Sequence, residues 1–159
     1  MIRRMLVLDC ESPSIILYSM DYNEIIEKIK TYLEAEETVV AAYLYGSHAS
    51  GRSSAFSDVD LAILVGSGKS ARDRLILRIR IQKDLSKLIR KDVDLVLLNE
   101  IGEALLFEVF TRGKVIFERD KGAHRFFRAA RLTQCLDFRF YQERMQKGMV
   151  KAMRSAKLG

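Results

Sequence analysis

Two aspartates, Asp58 and Asp60, stand one residue apart just before an apolar run, and Gly46-Ser47 closes another apolar run ten residues upstream. If Asp58-Val59-Asp60 opens a strand, the period of two puts both carboxylates on one face, close together. Such a pair repels unless a divalent cation sits between, and two carboxylates with phosphate oxygens completing the shell are what Mg²⁺ prefers. With no side chain at Gly46 the backbone can approach an anion, and the amides that follow, with the Ser47 hydroxyl, can cradle phosphate oxygens. A third carboxylate, Asp94, lies in Lys91-Asp92-Val93-Asp94-Leu95, two residues after Asp92, and is taken over it because it lies on the strand between the apolar Val93 and Leu95. Three carboxylates and two Mg²⁺ ions fit one chemistry: a hydroxyl is activated, a triphosphate is neutralised, and in-line attack at the α-phosphate expels pyrophosphate. Asp58 and Asp60 are assigned to both ions. Asp94 is assigned to the side of the attacking hydroxyl, where it helps to take the proton.

Each half of this pattern is weak by itself. A lone DxD at a strand end is usually a solvated turn, and GS alone is a loop. Together, at ordinary residue frequencies, the four fixed positions occur by chance in on the order of one in a few hundred chains this long. The apolar runs before Gly46 and after Asp60 lower that further.

The elements that must position these residues can be read from periodicity. Asp21 with Glu24 is a capping-box-like start, and Ile25, Ile29, Tyr32 and Leu33 recur at helical spacing, which predicts a helix over 21–36. Thr38 to Tyr45 is β-branched and aromatic and reads as a buried strand, followed by loop chemistry from Ser47 to Ser57. Val59 to Val65 is a second strand. Leu77, Ile81, Leu85 and Leu88 mark an amphipathic helix from about Lys69 to Lys91, and Val93 to Leu98 is a third strand. Ile101 to Arg112 reads as a helix stopped by Gly113, with a short edge strand at Val115 to Phe117. The tail from about Asp120 reads as helix, with Phe126, Ala129, Leu136 and Phe140 on one stripe taken as core. The expected fold is a small mixed sheet flanked by helices, α/β or α+β, in a single domain over 20–159.

Composition excludes several classes. With 159 residues, one proline, 48% apolar and 30% charged residues, the chain can bury a real core, and disordered or low-complexity readings fail. The apolar runs are strand-sized, far short of the roughly 20 residues of a spanning helix. Cys10 and Cys135 show no disulfide or zinc spacing, so a cytoplasmic, reducing location is expected. Asp9, Glu11 and Pro13 break any signal-peptide core. Residues 1–19 read either as an extension upstream of the native start or as a short added strand around Met5 to Leu8. Charge is uneven: residues 121–159 hold ten Lys or Arg against two Asp or Glu, in a chain of net +6. That basic tail, and the basic helix of 69–91, is either a solvated face or a docking surface for an acidic partner or an RNA-bearing complex.

The LYGSHASG and SDVDLAIL segments, the DVDLVLLNE strand and FTRGKVIFERD together resemble the minimal nucleotidyltransferases of the polymerase-beta superfamily. More narrowly, they resemble the MntA-type antitoxins that pair with a HEPN-domain toxin. The resemblance covers roughly residues 21–145. It implies a polymerase-beta-type core with a C-terminal helix, contacts from Gly46 and Ser47 to the nucleotide, and Mg²⁺ ligation by Asp58, Asp60 and Asp94. ATP would be the donor, and AMP would pass to a tyrosine of the toxin, blocking its RNase activity. At Ser50 many relatives carry arginine, and Arg52 could serve the phosphates instead.

Other residues have plainer readings. Arg112-Gly113-Lys114 is either a basic group at the mouth of the site or ordinary charge at a helix C-terminus. His48 reads as a solvated loop residue, and Tyr43 and Tyr45 as packing beneath or beside the nucleotide. Tyr141 is a candidate self-modification site. Two rival functions keep the motif: a nucleotidyltransferase acting on a small-molecule hydroxyl, as with aminoglycosides or lincosamides, and a non-catalytic antitoxin that masks its partner.

Overall fold

A computed structural model of the chain describes residues 22–46 and 58–156. The order is α1 (Tyr22–Glu34), β1 (Val39–Leu44), β2 (Val59–Val65), α2 (Ala71–Ile89), β3 (Val93–Leu97), α3 (Glu103–Arg112), β4 (Lys114–Glu118) and α4 (Lys121–Ala156). The four strands form one mixed sheet in the order β3-β2-β1-β4, with β2 and β3 parallel and the other two pairs antiparallel.

Alternation along the strands sends side chains to two faces. Val59, Leu61 and Ile63 of β2 join Val93, Leu95 and Leu97 of β3 on the first face, covered by Ile25, Ile29 and Leu33 of α1 and Leu77, Ile81, Leu85 and Ile89 of α2. The second face carries Ala41, Tyr43 and Tyr45 of β1 and Ala62 and Leu64 of β2, under Leu106, Val109 and Phe110 of α3 and Cys135 of α4. Arg119 ties the end of α1 to the sheet by donating to the carbonyls of Leu33, Glu34 and Val39.

Two packing expectations are corrected. In α2 the buried position at the end of the stripe is Ile89 and not Leu88, which is exposed. The helix also starts later than Lys69: Ser70 caps it, its side chain accepting from the Asp73 backbone N–H. In α4 the expected core stripe faces outward, with Phe126 78% exposed, Leu136 52% and Phe140 58%. The buried stripe is His124 and Cys135, with Phe127 and Leu132 packed beside them. The reason is that α4 is apolar on two opposite sides, and the side chosen is the one where His124 finds polar partners. Its Nδ1 donates to Glu118 Oε1 at 2.5 Å, and the Tyr43 hydroxyl closes on Nε2.

Asp21, expected as a cap, residues 1–19 with Cys10, and Ser47, His48, Ser50 and Arg52, expected in a loop, lie outside the described residues. No described helix is long and apolar enough to cross a membrane.

Candidate active site

The carboxylates gather at one end of the second face. Asp60 sits on β2 with the parity of Ala62 and Leu64, half-buried, and Asp58 precedes the strand, exposed. In the parallel pairing of β2 with β3, Asp60 is the direct partner of Asp94. Asp94 alternates with the buried Val93 and Leu95 and is exposed. The register is locked by the Val59 N–H donating to the Asp92 carbonyl at 2.9 Å, so Asp92 contributes backbone here.

Gly46 completes this corner. Its φ of +65° lies in the left-handed region, and a Cβ there would stand 2.8 Å from Cγ of Asp60, closer still to Oδ2. Glycine is therefore required twice, by its conformation and by the Asp60 carboxylate lying against its Cα. The Tyr45 N–H donates to the Asp60 carbonyl at 3.1 Å, which holds the end of β1 beside the start of β2.

Tyr45 forms the buried floor next to the carboxylates. Burial pushes its hydroxyl up to about 12, and the negative charges of Asp94, Asp60 and Glu108 add to the shift. Glu108, on α3, is thus a fourth carboxylate near the site; as an exposed helical residue outside any motif it gave no signal in the sequence. Tyr43, two residues earlier, is also buried on this face, where burial raises its hydroxyl pKa. Lys114 pairs with Leu44 and so points to the opposite face, where its ammonium stands 5.9 Å from the Tyr22 ring centroid. Arg112 is exposed in the last turn of α3, a favourable place for a cation beside the helix C-terminus. Gly113 ends that helix closely: a Cβ there would press on the Val109 carbonyl oxygen and lie 3.2 Å from that of Leu44.

The donor type suits Mg²⁺: Asp58, Asp60 and Asp94 bring carboxylate oxygens to one end of the sheet, with Asp60 and Asp94 in register on neighbouring strands. Among the described residues no three His, Cys, Asp or Glu side chains close around one point to hold an ion unaided.

Comparison with known proteins places the chain. A search of curated protein sequences finds no match. Among solved structures, a toxin–antitoxin complex with AMP-PNP has a chain 23% identical, with TM-score 0.61, over 84% of this chain and 99% of that one. A complex of tri-AMPylated HEPN toxin with MNT antitoxin from Shewanella oneidensis gives 22% identity and TM-score 0.60, over 84% and 99%. An MntA–HepT toxin–antitoxin structure gives 22% and 0.54, over 83% and 96%. At these identities the likeness is one of fold. The family model for polymerase beta nucleotidyltransferases matches residues 27–122, from the first helix through all four strands and every described carboxylate of the corner, and the chain belongs to that family.

Proposed function

We propose that the chain is an antitoxin-like protein adenylyltransferase that moves AMP from ATP to a tyrosine of a cognate HEPN-domain RNase toxin. One observation carries the catalytic half: Asp60 and Asp94 in register on neighbouring strands, with Gly46 packed against the Asp60 carboxylate. The acceptor half is supported by relatives of the same fold, one solved with AMP-PNP and one with a tri-AMPylated HEPN toxin.

In the reaction, Gly46, Ser47 and Arg52 hold the triphosphate. Asp58, Asp60 and Asp94 are the residues that would hold two Mg²⁺ ions, which would polarise the α-phosphate and neutralise the leaving group. Asp94, on the edge strand β3, receives the acceptor tyrosine and takes its proton as the phenolic oxygen bonds to the α-phosphorus. The bond from that phosphorus to the bridging oxygen breaks on the opposite side, and pyrophosphate departs. Tyr45, neutral and buried, gives the nucleotide corner a rigid floor. The reaction belongs in the cytoplasm, where ATP, Mg²⁺ and an intracellular RNase toxin meet.

The test is transfer of label from α-phosphate-labelled ATP with Mg²⁺ to the co-expressed HEPN protein, comparing wild type with Asp58→Ala. Label on that protein that vanishes in the variant is expected. No label with ATP binding retained would replace this reading by a small-molecule acceptor or by neutralisation through masking.

A further inference from the structure

The end of α4 is more helix than the fold consumes. Near the end of its packed part, Arg139 of α4 sets its guanidinium 4.5 Å from the Phe107 ring centroid on α3. From there to Ala156 the helix runs on for about 26 Å at 1.5 Å per residue, the span of a small domain. Residues 140–150 are all exposed. The ion pair Arg139–Glu143 and the ring contacts Phe140–Tyr141 and Arg144–Phe140 are internal to the helix.

This segment is not uniformly polar. Phe138, Tyr141, Met145, Met149 and Met153 fall within an arc of about 120° on the helix, a continuous apolar stripe. Met145 is 67% exposed and Met149 60%. The same stretch of sequence also holds Arg139, Arg144, Lys147, Lys151 and Arg154 against Asp137 and Glu143.

We infer that this stripe is the docking surface for the acidic helical face of the protein that receives AMP, an inference that rests on the function proposed above. Charge decides the occupant. A second copy would set net +3 segments against each other, and the exposed apolar patch of Leu75, Ile76 and Ile79 on α2 is itself flanked by Arg72, Arg78 and Lys83. An apolar groove rimmed by carboxylates fits both features of the helix. The stripe is also rich in methionine, with no leucine or tryptophan, which suits a helix-binding protein groove better than a lipid surface. Position adds to this: Phe107, where the helix leaves the domain, adjoins Glu108, whose charge reaches Tyr45 beside Asp60 and Asp94. A partner held on the helix is thereby tethered to the molecule that carries the nucleotide.

The experiment compares wild type, Met145→Glu with Met149→Glu together, and Asp58→Ala, all full length. It measures affinity for the purified HEPN protein, AMP transfer to it, ATP binding, sedimentation of each chain alone, and flotation with phosphatidylserine-containing vesicles. The stripe variant is expected to bind ATP normally and to lose at least tenfold in affinity for the HEPN protein, while Asp58→Ala keeps that affinity and loses transfer. Unchanged affinity in the stripe variant overturns the inference but leaves the transferase reading standing. Loss of affinity in that variant with no transfer by wild type upholds docking and overturns the transferase reading. A wild-type dimer, or wild-type flotation, that the stripe variant abolishes while HEPN affinity stays unchanged assigns the stripe to a second copy or to lipid and overturns the inference.

Discussion

Gly46→Ala separates the two demands that this position meets. The first is conformational: at φ +65° an L-residue costs about 1–2 kcal/mol, which lowers the melting temperature by roughly 2–8 °C in a chain of this size. The second is steric and local. The new methyl would stand 2.8 Å from Asp60 Cγ, so the carboxylate must retreat by about 1 Å to reach ordinary contact distance. A displacement of that size in a reacting site costs on the order of 100-fold in rate. Gly68→Ala is the matched control, because Gly68 also has positive φ, +96°, yet a Cβ there meets nothing within 4 Å. Both variants should lose stability, and only Gly46→Ala should lose AMP transfer, measured as the initial rate with labelled ATP at saturating Mg²⁺. Transfer by folded Gly46→Ala within about threefold of wild type would refute the reasoning. An equal loss in Gly68→Ala would trace the effect to strain alone.

Three further outcomes follow from the same geometry. Tyr43→Phe strips the hydroxyl from His124 Nε2 inside the second core and should destabilise by about 1–3 kcal/mol in urea unfolding; a change under about 0.5 kcal/mol would mean that the buried contact is not made. Tyr45 titrates near 12 when folded and near 10 when unfolded, so its contribution is complete below pH 10 and lost as pH rises toward 12. About 1 kcal/mol should be gone by pH 11, and Tyr45→Phe should flatten that slope. Asp58→Ala should leave the melting temperature of the nucleotide-free chain unchanged or raise it, since it removes one of several neighbouring negative charges from an exposed position; marked destabilisation would give Asp58 a structural role instead.

The sheet was legible because its strands are short, apolar and bounded by loop chemistry: Val59 to Val65 is an apolar run stopped by Gly66-Ser67-Gly68, and the face of Asp94 followed from its alternation with Val93 and Leu95. The carboxylate corner was legible for the same reason: its geometry is a consequence of strand register, which Val93 and Leu95 fix. The tail was not. Phe126, Leu136 and Phe140 make as good a stripe as Phe127, Leu132 and Cys135, and hydrophobicity cannot rank them. The deciding residue is His124, which looks like a surface side chain until Glu118 and Tyr43 are placed beside it by β4 and β1. Leu88 and Ile89 raised the same problem in α2, where both are apolar and only the helix phase against β3 separates them. Glu108 was invisible because its proximity to Tyr45 depends on how α3 crosses the sheet.

The two faces of the sheet are closed differently. The first is closed by two helices with a continuous aliphatic core. The second is covered by α3 and α4 over Tyr43, Ala62 and Leu64, and at its end lie the half-buried Asp60 and the exposed Asp58 and Asp94. Like charges gathered there oppose folding, and the corner is tolerated because it lies at strand ends, where water reaches Asp58 and Asp94. The long helix that seals the second face then continues past it with its apolar stripe exposed. One element thus both covers the second face and forms the exposed arm. On the function and docking proposed above, partner choice would change through the arm without altering the register that aligns Asp60 with Asp94.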